Sequence, residues 1–258
     1  MKSHLVYKYV SSRFKYSGKC VTLSCKLKRN IDDHFNQLIL AGKTFDNGEL
    51  FIVERIKKCD KSLIFKLVKS NYAHYLYYRS NKHCNVPCVS VAVNALILTL
   101  DNYLVLGKMS NTTALPNKLK FIGGALDKCD QKDAYFNIES TLKREIKEEV
   151  GLTIDCTNTE HLERILIMTR ERLSFFGILV EVKLNISKEK LYSIFNAYNR
   201  VQQSSKTNEL TDLVFVEKSK EAISKFVNNN NYSAVSYLRE TLKIISGEVE
   251  AGDIFDKI

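Results

Sequence analysis

Tryptophan is absent from this 258-residue chain, proline occurs twice and methionine three times. Scarce proline beside abundant lysine and asparagine is the usage an AT-rich genome would give. No apolar run reaches the ~18 residues that a membrane-spanning helix requires, so no span is expected. The opening Met1-Lys2-Ser3-His4-Leu5-Val6-Tyr7-Lys8 lacks the apolar core and cleavage site of a secretory leader. Seven cysteines form an odd set without disulfide-like spacing, which favours a reducing, cytoplasmic setting. There is no internal repeat, and no low-complexity tract beyond Asn228–Asn231. What remains is ordinary material for folding: 45% hydrophobic residues, enough for a proper core in one large or two small domains.

Charge is the first feature that is present rather than missing. The chain carries a net +10, and all of it sits in residues 1–86, where 17 Lys and Arg face 6 Asp and Glu. Residues 87–258 hold 22 and 23 and are nearly neutral. This imbalance divides the sequence into a basic, β-rich N-terminal domain over 1–86 and a second domain over 87–258. A basic surface attracts nucleotide phosphates, RNA or acidic lipids, and the interleaved Tyr7, Tyr9, Tyr72, Tyr75, Tyr77 and Tyr78 are of the kind that stack on bases. A soluble, lysine-rich small domain would have the same composition.

The densest chemistry lies between Gly123 and Leu152. Ile138, Leu142, Ile146 and Val150 recur at four-residue steps and predict the buried ridge of a helix, which Gly151 is placed to end. Glu145, Glu148 and Glu149 fall at i, i+3 and i+4, on one face of that helix. Like charges at this spacing cost roughly 0.2–0.5 kcal/mol per pair, and acids in a last turn oppose the helix dipole. Arg144 can pair with Glu148 along the surface, which leaves two carboxylates uncompensated. A hard divalent cation such as Mg²⁺ would resolve the conflict; a solvated mixed-charge face is the plainer reading.

The run Arg144-Glu145-Ile146-Lys147-Glu148-Glu149-Val150-Gly151-Leu152 resembles the second half of the Nudix box, R-E-U-x-E-E-x-G-U with U apolar. The first half departs from it. After Gly124 and five intervening residues stands Asp130 instead of Glu, and thirteen residues instead of seven separate it from Arg144, an insertion of six around Gln131–Phe136. Membership in the Nudix hydrolases implies an α/β (α+β) fold, an αβα sandwich around a mixed sheet, and Mg²⁺, or Mn²⁺, as cofactor. It implies Glu145, Glu148, Glu149 and the Gly123 carbonyl as metal ligands, with Glu145 and Glu149 in the catalytic set and Arg144 orienting the carboxylates. Late in such chains an acid often joins the shell; Glu209 is the first choice here and Asp212 the second. Gly124, Arg170 and Arg172 are candidates to meet substrate.

The implied reaction is Mg²⁺-dependent hydrolysis of a nucleoside diphosphate linked to another group, of nucleotide-sugar or ADP-ribose type. Phe45-x-Asn47-Gly48, a strand pair and Tyr72-x-x-Tyr75 loosely resemble the lead-in of nucleotide-sugar-type members. The alternatives are removal of an mRNA or NAD cap, to which the basic third and the wording of the box point, and an inactive module that binds a nucleotide or a protein. A homodimer would be common in the family, though nothing in the chain marks an interface.

The remaining elements are expected as strands over Val21–Leu27, Leu50–Ile56, Ser62–Val68, Val89–Leu100, Tyr103–Leu106, Leu119–Ile122, Arg164–Thr169 and Leu173–Leu184, with an acidic loop at Glu209 entering a further strand. Helices are expected over Ser187–Tyr198 and Ser233–Ile245. Asp101-Asn102 signals a hairpin turn. His83-Cys84-x3-Cys88, with His74, invites a zinc reading, but no second ligand pair exists, and a linker with incidental thiols accounts for it better.

Overall fold

The computed structural model describes residues 5–43, 46–81, 83–169, 174–202, 208–229 and 231–256. Its centre is β5 (Ser90–Leu98), a strand buried along its whole length, as its run of apolar and β-branched residues requires. On one edge it pairs in parallel with β12 (Phe175–Leu184), which pairs antiparallel with β11 (Thr159–Thr169). Its other edge is shared by three strands in succession. β3 (Glu49–Cys59) meets it at Ser90, β8 (Ile122–Ala125) along Ala92–Ala95, and β6 (Tyr103–Met109) at Ile97–Leu98.

Alternate residues of β5 serve opposite faces. Val91, Val93, Ala95 and Ile97 pack against α3 (Ile138–Val150) and α4 (Lys188–Gln202). Ala92, Leu96 and Leu98 pack against α5 (Lys220–Asn228) and α6 (Leu238–Ile245). The molecule is thus a mixed sheet with helices on both faces, the αβα arrangement expected from the sequence.

The basic third extends the same sheet. β1 (Val6–Lys8) pairs with β11, while β2 (Ser11–Cys20) and β4 (Ser62–Asn71) run on from β3. Phe14, Phe51, Phe65 and Leu67 share one core with Val91, Val93 and Phe176. Arg55, Lys66 and Lys15 stand side by side across β3, β4 and β2, so part of the basic excess forms a row on one sheet face.

Several sequence expectations shift here. Val21–Leu27 is not a strand: Ser24 accepts from the Leu27 amide and caps α1 (Cys25–Leu40), whose buried Leu27 and Ile31 stand at helical spacing. Tyr72–Tyr78, to which the sequence assigns no element, is helical, within α2 (Tyr72–Ser80), capped by Asn71. The second half of the expected Ser233–Ile245 helix forms as α6. Its first residues stay extended because Leu119 donates to the Ser233 carbonyl (2.8 Å) and Val235 donates to that of Leu119 (3.0 Å). Helix α5 has no counterpart in the sequence reading. The Phe45 end of the expected turn lies outside the described residues. No helix among those described is long and apolar enough to cross a membrane.

The six-residue insertion is structured. β9 (Gln131–Lys132) and β10 (Tyr135–Phe136) form a hairpin. Tyr135 lies opposite Lys15 of β2, and the Tyr16 amide donates to the Ala134 carbonyl at 2.8 Å. The buried Phe136 ring stands 4.6 Å from that of Phe51. The hairpin closes at its base, where Asn137 donates to the Asp130 carbonyl (2.9 Å).

Candidate active site

Helix α3 carries the site. Asn137 caps it through the amides of Glu139 and Ser140, and it ends at Gly151 in the left-handed conformation (φ 77°). Ile138, Leu142, Ile146 and Val150 are all buried, so the apolar ridge fixes the helix's rotation. That rotation turns Glu145 and Glu149 inward, where both are buried, and leaves Glu148 exposed at the rim.

The glycine pair of β8 lies beneath them. Gly123 has φ 139°, and a Cβ there would stand 2.1 Å from the Val93 carbonyl, a position only glycine fills. A Cβ on Gly124 would stand 2.5 Å from both carboxylate oxygens of Glu145. The carboxylate therefore rests directly on the backbone. The Gly123 amide donates to Glu149 Oε2 at 2.9 Å.

Two cations divide the acids between them. Arg144 donates to Asp130 through Nε (3.3 Å) and Nη2 (2.8 Å), to the Ala125 carbonyl (3.0 Å), to Glu145 (2.8 Å) and to Glu148 (2.9 Å). Its guanidinium joins the glycine loop, the variant first acid of the box and the helix. Asp130 is buried and also accepts from the Asp127 amide. Aspartate at this position thus meets the arginine directly.

The second cation is Lys120, at the end of β7 (Leu119–Lys120), a residue the sequence reading passed over. Buried, it donates to the Gly123 carbonyl (3.0 Å), to Glu149 Oε1, and to Glu209 Oε1 (2.7 Å). Burial alone would lower the Lys120 pKa, but Glu149 and Glu209 outweigh it and hold the ammonium charged. Burial pushes Glu145 up to about 7, against the pull of Arg144 and then Lys120. It raises Glu149 as well, despite Lys120.

Five carboxylates (Asp130, Glu145, Glu148, Glu149 and Glu209) thus stand against two cations. Among the described residues no three acidic, histidine or cysteine side chains already converge as a metal cage; the acids are drawn apart by Arg144 and Lys120. The donor set still suits a hard divalent cation, since Gly123, Glu149 and Glu209 present a carbonyl and two carboxylates to one point. Glu145 and Glu148 flank it. The excess of negative charge supplies the driving force.

Above this floor opens a cleft of about 780 Å³. Tyr72, Tyr75 and Arg79 of α2 line it on one side, and Phe175 and Tyr237 on another. Tyr72 and Tyr75 stack at 5.7 Å, and Phe175 and Tyr237 at 5.5 Å. Asn94 of β5 also lines it, buried, with an amide nitrogen that has no hydrogen-bond partner.

Gly123, Gly124, Arg144, Glu145, Glu148, Glu149 and Glu209 are brought together. Asp212 is not among them: its carboxylate accepts from Tyr192 and from its own neighbour's amide, at Leu213. Arg170 and Arg172 lie outside the described residues. The histidine–cysteine stretch is otherwise engaged, with both ring nitrogens of His74 hydrogen-bonded and the Cys84 thiol donating to the Val86 carbonyl.

No protein-family profile matches the chain, and no curated relative matches it by sequence. Among solved structures it is similar to a protein of Deinococcus radiodurans, at 16% identity over 76% of this chain and 98% of that one, with a TM-score of 0.47. The MutT protein of Methanosarcina mazei Go1 aligns at 14% identity over 63% and 96% of the two chains, with a TM-score of 0.40. A Nudix hydrolase of Nitrosomonas europaea aligns at 12% identity over 67% and 96%, with a TM-score of 0.38. Within this chain's own fold, Gly123, Gly124, Glu145, Glu148 and Glu209 line one cleft together with Lys120 and Asn94, which the box does not name, while Arg144 and Glu149 bond to them from beside it.

Proposed function

We propose that the protein is a Nudix-type, divalent-metal-dependent pyrophosphohydrolase that cleaves a nucleoside diphosphate linked to another group, of nucleotide-sugar or ADP-ribose type. One observation carries this reading: Glu145, Glu148, Glu149 and Glu209 and the Gly123 carbonyl are gathered at and beside the floor of an aromatic-walled cleft, with Asp130 behind them and only Arg144 and Lys120 as cations. Residues that held the fold alone would not concentrate uncompensated negative charge there, because burying it costs free energy.

Gly123, Glu149 and Glu209 would hold Mg²⁺ or Mn²⁺, with Glu145 and Glu148 beside them. When bound, the ion screens phosphate charge and acidifies a coordinated water. The chain's own residues supply the rest. Arg144 spends its donors on Asp130, Ala125, Glu145 and Glu148, so it positions acids and leaves substrate to other groups. Glu145, seated on Gly124 and held by Arg144, is placed to accept a proton from water. Tyr72, partly exposed on the cleft wall, offers an aromatic surface to a base or sugar.

A panel of UDP-sugars, ADP-ribose, NAD and capped RNA, with Mg²⁺ and with chelator, tests the reading. Turnover confined to the metal-containing arm of a nucleotide substrate is expected. Turnover that survives chelation, or none on any substrate, would sink it, and turnover of capped RNA alone would move the substrate class to caps. Glu148→Gln and Glu149→Gln should each lower the rate by orders of magnitude with the circular-dichroism spectrum unchanged.

A further inference from the structure

The Lys120 ammonium has three donors, and each finds an oxygen: the Gly123 carbonyl at 3.0 Å, Glu149 Oε1, and Glu209 Oε1 at 2.7 Å. These acceptors come from β8, from α3 and from the residue before β13 (Leu210–Glu217), three parts of the chain that Lys120 draws to one point. They are also the oxygens assigned above to the metal. A divalent cation and an ammonium cannot share them, because like charges at such separations in a buried site repel strongly.

We propose that Lys120 is an exchangeable occupant of the cation shell: divalent metal enters by displacing its ammonium, which swings into the cleft and there meets the diphosphate. The inference rests on the hydrolase reading for the identity of the shell. Its geometric basis is separate. Lys120 is buried at 8% exposure yet lines the cleft, so its four-carbon arm has space on one side and the oxygens on the other. Strand β7 is held by pairing with β6 and by the Leu119 contacts to Ser233 and Val235, so the side chain moves while its backbone stays.

Two consequences follow. Metal affinity is weaker than the number of oxygens implies, since each ion must replace a satisfied cation. Metal and anionic substrate also assist each other, because the substrate's phosphates receive the released ammonium and metal entry releases it. Such coupling is reciprocal.

The probe is Mn²⁺ alone, titrated calorimetrically into the full chain. Lys120→Met removes the competing charge and should bind Mn²⁺ at least about tenfold more tightly than the native protein. Equal or weaker binding by the variant overturns the proposal, as does a lack of binding by both. Should Lys120→Met fail to fold, the native protein decides. Acetic anhydride labelling of Lys120, read by mass spectrometry, should rise when Mn²⁺ is added to chelator-treated protein. Unchanged labelling at saturating Mn²⁺ overturns the exchange. A chain that shows the exchange but turns over none of the panel retains this inference and loses the hydrolase reading. A chain that turns over with Mg²⁺ while Lys120 stays inert does the reverse.

Discussion

At Gly124 the missing side chain matters more than backbone freedom. An added Cβ would stand 2.5 Å from both oxygens of Glu145. That carboxylate has nowhere to retreat without leaving Arg144. Gly124→Ala is therefore expected to displace Glu145 by a fraction of an ångström to an ångström and to lower kcat by about a hundredfold. Stability should change little, because the obstructing atoms belong to one side chain. Native kinetics in this variant would show that Glu145 is not needed in that position.

His74 makes a different residue-scale argument. It is fully buried; its Nδ1 accepts from Ser70 at 2.9 Å and its Nε2 donates to the Val86 carbonyl at 3.2 Å. Burial lowers its pKa from 6.5, against the smaller pull of the Val86 carbonyl. The unfolded chain thus takes up this proton at a higher pH than the folded one does. The contribution to stability is present above about pH 6.5 and is lost as pH falls towards the lowered folded value, with a slope of up to about 1.4 kcal/mol per pH unit. Urea titrations between about pH 8 and pH 5 should show a steeper acid loss for the native protein than for His74→Gln. Parallel curves would remove His74 as the cause.

Among elements, α3 was legible in the sequence because its signals are local. The apolar step of four, the acids at i, i+3 and i+4, and Gly151 all lie within one stretch. The ridge and the helix end form as the spacing predicts, while the acids divide, Glu145 and Glu149 turning inward and Glu148 staying exposed, each paired with Arg144 or Lys120. Lys120 was not legible, because its partners Glu149 and Glu209 are 29 and 89 residues away, and a lysine in a short strand looks like any surface lysine. Asn94 was hidden for the same reason, inside a run that reads only as buried strand.

The insertion hairpin is the element whose meaning changed most. Extra loop length is cheap, and nothing local shows that residues 131–136 would dock against β2, whose partner Lys15 lies 120 positions earlier. Because Phe136 packs on Phe51, the hairpin is part of the core that joins the basic third to the site. Phe136→Ala should cost about 3–5 kcal/mol in urea unfolding. Asp130 stands at the closed base of the hairpin, held there by the Asn137 amide and by Arg144, so the folded variant should retain most of its kcat. A stability loss below about 1 kcal/mol would mean that the hairpin only rests on the surface.

For the whole molecule, the question is what the basic third contributes to a site whose acids all lie after residue 86. Its strands continue the central sheet, and Phe14, Phe51 and Phe65 are buried against β5 and β12. Burial of each such ring is worth about 1.5–3 kcal/mol, comparable with a substantial part of a domain's net stability. Its helix α2 supplies Tyr72, Tyr75 and Arg79 to the cleft. Residues 87–258 expressed alone should therefore bind a hydrophobic dye and unfold without a cooperative transition. In the full chain Tyr72→Ala, at the partly exposed ring of that wall, keeps the sheet and the buried Tyr75 beneath it; it should fold, with KM raised more than kcat is lowered. If the truncated chain instead folds cooperatively and hydrolyses its substrate with native KM, the first 86 residues take no part in either the core or the cleft.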